Sequence, residues 1–157
     1  MKKKLWIAGA AFLLDRAAKI LAERLPRGGL TLIPGVLRLR YTRNTGMAFS
    51  LLSGHPVLLA ALSALVLAGA FFLLRGKRMD GPTETGLMMM LGGAAGNLAD
   101  RIFAGSVPDM IEPVFVRFAV FNLADAFLVV GCALVILRIL IGKGNPGGAP
   151  PKNRRIP

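Results

Sequence analysis

The stretch that decides the fold is LMMMLGGAAGNLADR, residues 87–101. Glycine or alanine occupies every position from Gly92 to Gly96, and side chains this small let neighbouring helices approach closely. An asparagine, an aspartate and an arginine follow within the same apolar run, which extends from about Thr85 to Ile102. We therefore predict a helix that is buried among other helices and carries polar groups at its far end.

The composition of the whole chain indicates a membrane protein. Its 157 residues are 54% hydrophobic, with a mean hydropathy of +0.59 and a formal net charge of +12. Four apolar runs, at about 5–21, 56–74, 85–102 and 120–141, each suit a span of roughly 20 residues. We predict an all-α membrane protein with four transmembrane helices. One integral membrane domain would cover residues 1–142, followed by a disordered basic cytoplasmic tail at 143–157.

The segment between the first two predicted helices has a different pattern. Between Leu30 and Thr42, apolar residues partly alternate with polar ones, which is typical of strands. We predict a small periplasmic β-rich element here, between helices one and two. Residues 104–117, which contain two prolines, are interpreted as a short connection between helices three and four.

Basic residues set the predicted orientation. Ten Lys and Arg residues fall on the side of the chain termini and six on the opposite side, and positive charge favours the cytoplasmic side. Both termini are therefore predicted to be cytoplasmic. Because these charges lie at the ends and in the connections, they favour contact with anionic headgroups over nucleic acid binding.

Four aspartates fall near the outer ends of the predicted helices. Asp15 lies in the outer half of the first helix, and Asp109 lies in the last connection. The tetrapeptide Asn-Leu-Ala-Asp occurs twice, ending at Asp100 and at Asp125, which places Asn and Asp on one helical face each time. A carboxylate close to hydrocarbon is costly without a partner or a task. We therefore predict that this cluster is the active site, near the outer face of the membrane.

Two neighbouring carboxylates, Asp109 and Asp125, suit general acid and base catalysis. One keeps a proton while the other is ionised. The ionised member can take a proton from water as that water attacks a carbonyl, and the protonated member can stabilise the oxyanion. This is peptide hydrolysis with neither a metal nor a covalent intermediate. Other mechanisms lack partners, because His55 has no nucleophile motif around it and Cys132 lies in an apolar run.

Three alternatives remain open from the residues alone. The two aspartates can instead form structural ion pairs, as charged groups in membranes commonly do. The candidate cations are Lys19, Arg101 and Arg117. The aspartates can also relay protons in a small transporter or channel subunit, although helices two and four carry few polar residues. In a structural or assembly protein, neutral residues could replace both aspartates with little loss of function.

Five motifs follow one another along the chain. They are Asp15 with Lys19, NTGMAF at 44–49, GNLADR at 96–101, VPD at 107–109 and FNLAD at 121–125. Together they resemble the lipoprotein signal peptidases, the type II signal peptidases of bacteria. The resemblance implies an aspartic peptidase of the bacterial inner membrane with four transmembrane helices and a periplasmic β-cradle. It also implies the removal of signal peptides from diacylglyceryl-modified prolipoproteins, with the cut on the amino side of the lipidated cysteine.

The resemblance further implies roles for individual residues. The catalytic dyad falls on Asp109 and Asp125. Supporting or substrate-binding positions fall on Asp15, Lys19, Asn44, Gly46, Asn97, Asp100, Arg101 and Asn122. Arg16 departs from the family pattern, in which Gln is common at this position. We expect a monomer whose partners are prolipoproteins and membrane lipid, with no cofactor, no metal and no nucleic acid.

Overall fold

The computed structural model describes residues 4–46, 54–74 and 79–142. Within them the elements are α1 (Leu5–Ala22), β1 (Leu30–Ile33), β2 (Leu37–Asn44), α2 (Pro56–Leu74), α3 (Gly81–Ala104), β3 (Val107–Pro113) and α4 (Leu123–Gly142). The protein is therefore mostly helical, with a small antiparallel sheet in the order β1-β2-β3. The predicted basic tail and the motif residues 47–49 lie outside the described residues.

Helix α3 has well-defined signals at both ends. The Asp80 side chain caps its N-terminus by accepting a hydrogen bond from the Thr83 backbone N–H at 3.1 Å. Pro82 lies in the first turn, where its missing N–H costs nothing, so the helix starts earlier than predicted. At the other end Gly105 adopts a left-handed conformation with φ of 66°, which favours glycine.

Other helices pack against Gly92 and Gly93 of α3 so tightly that no side chain fits there. A Cβ placed on Gly92 would lie 2.3 Å from the Ala8 carbonyl oxygen of α1. A Cβ on Gly93 would lie 2.5 Å from the Ala124 carbonyl oxygen of α4. Any larger residue would push these helices apart, so the small-residue face is what brings them together. The prediction of a buried, closely packed third helix is confirmed.

The sheet differs from the prediction in its third strand. Residues 107–113, interpreted from the sequence as part of a connection, form β3 and pair antiparallel with β2. The sheet is therefore not confined to the segment between helices one and two. The two prolines argued against a strand, but β3 is the last strand of the sheet and carries Pro108 and Pro113 near its ends, where a lost N–H is tolerated. Asp109 thus lies on a strand opposite Thr42, not on a loop.

The start of α4 also differs from the prediction. Phe121 forms a bridge with Ile111: its N–H donates to the Ile111 carbonyl at 3.0 Å, and its carbonyl accepts from the Ile111 N–H at 2.8 Å. This pairing keeps the chain out of the helix, so α4 begins at Leu123 instead of Val120. Over Leu123–Ile141, α4 is the one helix in the described part of the chain that is long and apolar enough by itself to cross a membrane.

Charged and polar side chains are buried in the fold beside apolar ones, whereas many large apolar side chains are exposed. Asp15, Lys19 and Asp109 are at most 2% exposed. In contrast, Val57 and Val129 are 81% and 69% exposed, and many other large apolar side chains also point outwards. This is the reverse of the usual arrangement in water, and it is the one expected when lipid surrounds the helices.

Candidate active site

Asp109 and Asp125 come from different elements and line one cavity of about 540 Å³. Asp109 lies on β3 and is buried, whereas Asp125 lies in the first turn of α4 and is half-buried. The polar side chains that share the cavity with them are Asn44, Asn97, Arg101 and Asn122. The remaining wall is apolar and is formed mainly by residues 118–121 and by α4 as far as Val130.

Asn122 connects the two aspartates. Its Nδ2 donates to Asp109 Oδ1 at 2.7 Å. Its Oδ1 accepts from the Asp125 N–H at 3.0 Å, and its own N–H donates to Asp125 Oδ2 at 3.2 Å. The last two bonds form a reciprocal capping box at the start of α4. The prediction that Asn122 lies on a helical face is therefore wrong, because it precedes α4 as its cap.

Asn44 binds the second oxygen of Asp109. Its Oδ1 accepts from the Gly46 N–H at 2.9 Å, which leaves its Nδ2 to donate to Asp109 Oδ2, also at 2.9 Å. The guanidinium of Arg101 donates to the Gly46 carbonyl at 3.3 Å. Arg101 therefore connects α3 to the end of β2 and does not pair with Asp100, its neighbour in sequence.

Asn97 binds Asp125 in the same manner. Its Oδ1 accepts from Lys19 Nζ at 2.8 Å, and its Nδ2 donates to Asp125 Oδ1 at 2.8 Å. An amide oxygen only accepts and an amide nitrogen only donates. Because an ammonium occupies one side of the amide, only one orientation satisfies both partners. Lys19 thus determines which atom of Asn97 faces the aspartate.

Lys19 is the centre of a buried ion cluster. Its Nζ lies 2.7 Å from Asp15 Oδ2 and 2.7 Å from Asp100 Oδ2. The pair of Asp15 and Lys19 joins residues four apart on α1, and Asp15 Oδ1 also accepts from the Ala124 N–H at 2.9 Å, which ties α1 to the start of α4. Sequence reasoning assigned no bonding partner to Arg16, which pairs with the other oxygen of Asp100. Arg16 lies between two charged residues of a predicted span, and this position was the feature of the sequence that indicated a buried partner.

The ion-pair alternative does not hold for Asp109 and Asp125. Within residues 4–46, 54–74 and 79–142, the salt bridges include no Lys or Arg that contacts either carboxylate. Neutral asparagine amides hold them instead. A neutral donor fixes a carboxylate in place without committing it to the ionised state as strongly as a cation would.

Asp109 lies on β3, outside the predicted spans, and its burial shifts its equilibrium towards the protonated acid. Burial raises the pKa of Asp109 to about 6. Hydrogen bonds from Asn122 and Asn44 lower that pKa, and the negative charge of Asp125 raises it. Asp109 and Asp125 are therefore near enough for the charge of one to act on the other.

The histidine and the cysteine considered as alternative catalytic residues lie outside the cavity. His55 is exposed just before α2, and Cys132 is a half-buried free thiol in α4. Neither residue lines the cavity. Across the described ranges, no three His, Cys, Asp or Glu side chains are grouped as a metal ion would need.

The chain matches one protein family over most of its length. Residues 7–141 match the protein family described as signal peptidase (SPase) II. The lipoprotein signal peptidase of Streptococcus pneumoniae is 34% identical over 147 residues, which are 89% of this chain and 95% of that protein. The lipoprotein signal peptidase of a Nostoc species is 38% identical over 146 residues, 86% of this chain and 88% of that protein.

The fold matches as well. A solved structure described as a bacterial membrane enzyme, obtained by the in meso method at 2.3 Å resolution, has a TM-score of 0.84 and 25% identity. The match covers 95% of this chain and 94% of that chain. The family match runs through every segment that contributes to the cavity, and the relatives match over most of their own length. This chain is therefore a member of the signal peptidase II family of membrane proteases.

Proposed function

We propose that this protein removes signal peptides from prolipoproteins as an aspartic endopeptidase, with Asp109 and Asp125 as its catalytic residues. Membership of the signal peptidase II family supports the removal of signal peptides, and it favours an enzyme over a transporter or an assembly protein. The observation that carries the aspartic mechanism is the arrangement of the two carboxylates. They line one cavity, and neutral amides rather than cations hold them.

In this proposal Asp109 carries the shared proton. It is the more enclosed of the two acids, and burial favours its neutral form. Asp125 acts as the general base and takes a proton from water as the water oxygen attacks the scissile carbonyl carbon. The Asp109 hydroxyl donates a hydrogen bond to the developing oxyanion. As the C–N bond breaks, the proton held by Asp125 passes to the leaving amine, which yields a carboxylic acid and a free amino terminus.

We propose that all four helices span the inner membrane, with both termini in the cytoplasm and the cavity near the outer face. Exposed apolar side chains on α1, α2 and α4 support this placement, because lipid would cover them. Trp6, Val57 and Val129 are examples, one from each helix. Helices α1 and α3 are less apolar than α4 because they carry the charged residues of the buried cluster. The sheet would then lie over the cavity on the periplasmic side.

The cavity suits a lipid-modified substrate. Val129 and Val130 line it, yet they are also 69% and 48% exposed on the outer surface of α4. The apolar wall is therefore continuous with the surface that lipid would cover. A peptide whose cysteine carries diacylglycerol can place its acyl chains along this wall while its backbone meets Asp109 and Asp125. We propose cleavage on the amino side of that cysteine, by a monomer whose integral membrane domain covers residues 1–142.

The test is cleavage of a diacylglyceryl-modified precursor by the purified protein, with and without a chelator. Cleavage should persist in chelator and disappear in the Asp109→Asn and Asp125→Asn variants. Asp80→Asn is the matched control, because it removes a carboxylate at the opposite end of α3 and asparagine caps helices equally well. The ion pair with Arg138 that this variant loses is exposed and contributes little. The activity of Asp80→Asn should equal that of the wild type. Full turnover by either dyad variant, or loss of cleavage in chelator, would overturn the proposed mechanism.

A further inference from the structure

The end of the sheet opposite the cavity carries an exposed apolar surface. Two turns meet there, one between β1 and β2 and one after β3. The Val114 N–H donates to the Val36 carbonyl at 2.9 Å, which holds the two turns side by side. We call their apolar side chains the sheet tip, which consists of Ile33, Val36, Val114, Phe115 and Val116.

The sheet tip is apolar, exposed and separate from the cavity. Its side chains range from 42% exposed at Val114 to 70% exposed at Phe115. None of them lines the cavity. Strand β2 runs from Leu37 beside the tip to Asn44 at the cavity, and its eight residues span roughly 23 Å. A bare apolar cluster of this kind indicates a surface that contacts another apolar phase.

Positive charge surrounds the sheet tip. Arg38 and Arg40 both pair with Glu112, at 2.6 Å and 3.1 Å, on the strands that lead to it. Arg117 is exposed within the second turn. Three arginines and one glutamate leave two net positive charges beside the apolar side chains. Apolar residues bordered by arginine are typical of segments that insert into the interface of an anionic membrane.

The sheet tip is also continuous with the surface proposed to face lipid. After Arg117 the chain passes through Phe118, which is 54% exposed, and enters α4 within a few residues. Helix α4 is the clearest span candidate and its apolar side chains point outwards. Lipid is therefore the apolar phase nearest to the tip.

We propose that the sheet tip inserts into the outer leaflet of the membrane that holds this enzyme, with the neighbouring arginines on anionic headgroups. The sheet then lies along the membrane surface, with one end at the cavity and the other anchored in lipid. This arrangement holds β2 and β3, and with them Asn44 and Asp109, at the level at which a lipid-attached peptide approaches. The inference does not depend on which residues are catalytic.

Tryptophan fluorescence tests the proposal. Trp6 is the one tryptophan of the chain, so all variants are made in a Trp6→Phe background that has no tryptophan of its own. Phe115→Trp then reports on the tip, and Thr31→Trp, an exposed position of β1 in the same sheet, is the matched control. Both proteins are placed in nanodiscs of phosphatidylcholine and phosphatidylglycerol, with or without bromine on the acyl chains. Interfacial segments reach about 5–10 Å into lipid, so bromine should reduce Phe115→Trp emission at least twofold and Thr31→Trp emission far less.

Aqueous iodide should quench the tryptophan emission of Thr31→Trp more than that of Phe115→Trp. Omission of phosphatidylglycerol should weaken the quenching of Phe115→Trp by bromine. Equal bromine quenching of Phe115→Trp and Thr31→Trp would overturn the proposal. Protection from iodide without bromine quenching would place a second copy or another part of this chain on the tip, which would overturn it too. Val116→Trp provides the same measurement if Phe115→Trp does not fold. Precursor cleavage, measured in parallel, separates this result from any failure of the catalytic proposal.

Discussion

Asn122 has two roles, and two substitutions separate them. Its Oδ1 caps α4 through the Asp125 N–H, and its Nδ2 donates to Asp109. Asn122→Ser keeps a capping oxygen but loses the amide donor that reaches Asp109. Asn122→Ala loses both. The two variants should therefore share a loss of activity and differ in stability.

The expected magnitudes follow from these bonds. A hydrogen bond between neutral groups, such as the Asn122 amide and protonated Asp109, contributes about 0.5–1.5 kcal/mol, which corresponds to roughly 2- to 12-fold in kcat/KM if it is needed in the transition state. The lost cap should cost Asn122→Ala about 1 kcal/mol in the free energy of unfolding. Because the Asn122 amide lowers the pKa of Asp109, its removal should raise that pKa above about 6. The pH profile of kcat/KM should then move to higher pH in both variants.

The assay is kcat/KM for a diacylglyceryl-modified precursor across a pH series, combined with thermal unfolding in the same detergent. Asn122→Ser should lose activity and shift its pH profile while it melts close to the wild type. Wild-type kcat/KM in Asn122→Ser would refute the role of the amide in holding Asp109. If activity falls only in proportion to lost stability, with no movement of the pH profile, Asn122 acts as a helix cap alone.

Three further predictions concern stability. Lys19→Met leaves two buried carboxylates without their shared cation and should lower the free energy of unfolding by about 3–5 kcal/mol; an unchanged melting temperature in detergent would contradict the buried ion cluster. Gly93→Ala should destabilise by about 1–3 kcal/mol, because its Cβ meets an α4 carbonyl oxygen at 2.5 Å, whereas Gly9→Ala, with nothing within 4 Å, should not. Burial favours protonated Asp109 in the folded protein, so stability should fall as pH rises from the ordinary pKa of 3.8 to about 6 and then level off. The fall in the free energy of unfolding is at most about 3 kcal/mol, and it should be absent from unfolding curves of Asp109→Asn. A fall of equal size in that variant would refute the assignment to Asp109.

Local features of the chain were predictable from the sequence. Helix α2 covers Pro56–Leu74 as predicted, because an uninterrupted apolar run depends on no other part of the chain. The Asp15–Lys19 pair follows from the four-residue spacing of a helix, and the buried face of α3 follows from its small residues. The gathering of the aspartates near one cavity followed from the order of the helices and the direction in which each one runs.

The bonds within the candidate site were decided by the tertiary structure. Strand β3 exists because β2 offers it a partner, and Asn122 lies outside α4 because the chain just before it pairs with β3. Lys19 orients Asn97 from 78 positions away, and Arg16 meets Asp100 across 84. Sequence patterns describe which residues can lie on one face of one element. Which donor occupies each oxygen depends on distances between elements far apart in the chain, and the packing of glycine against backbone sets those distances.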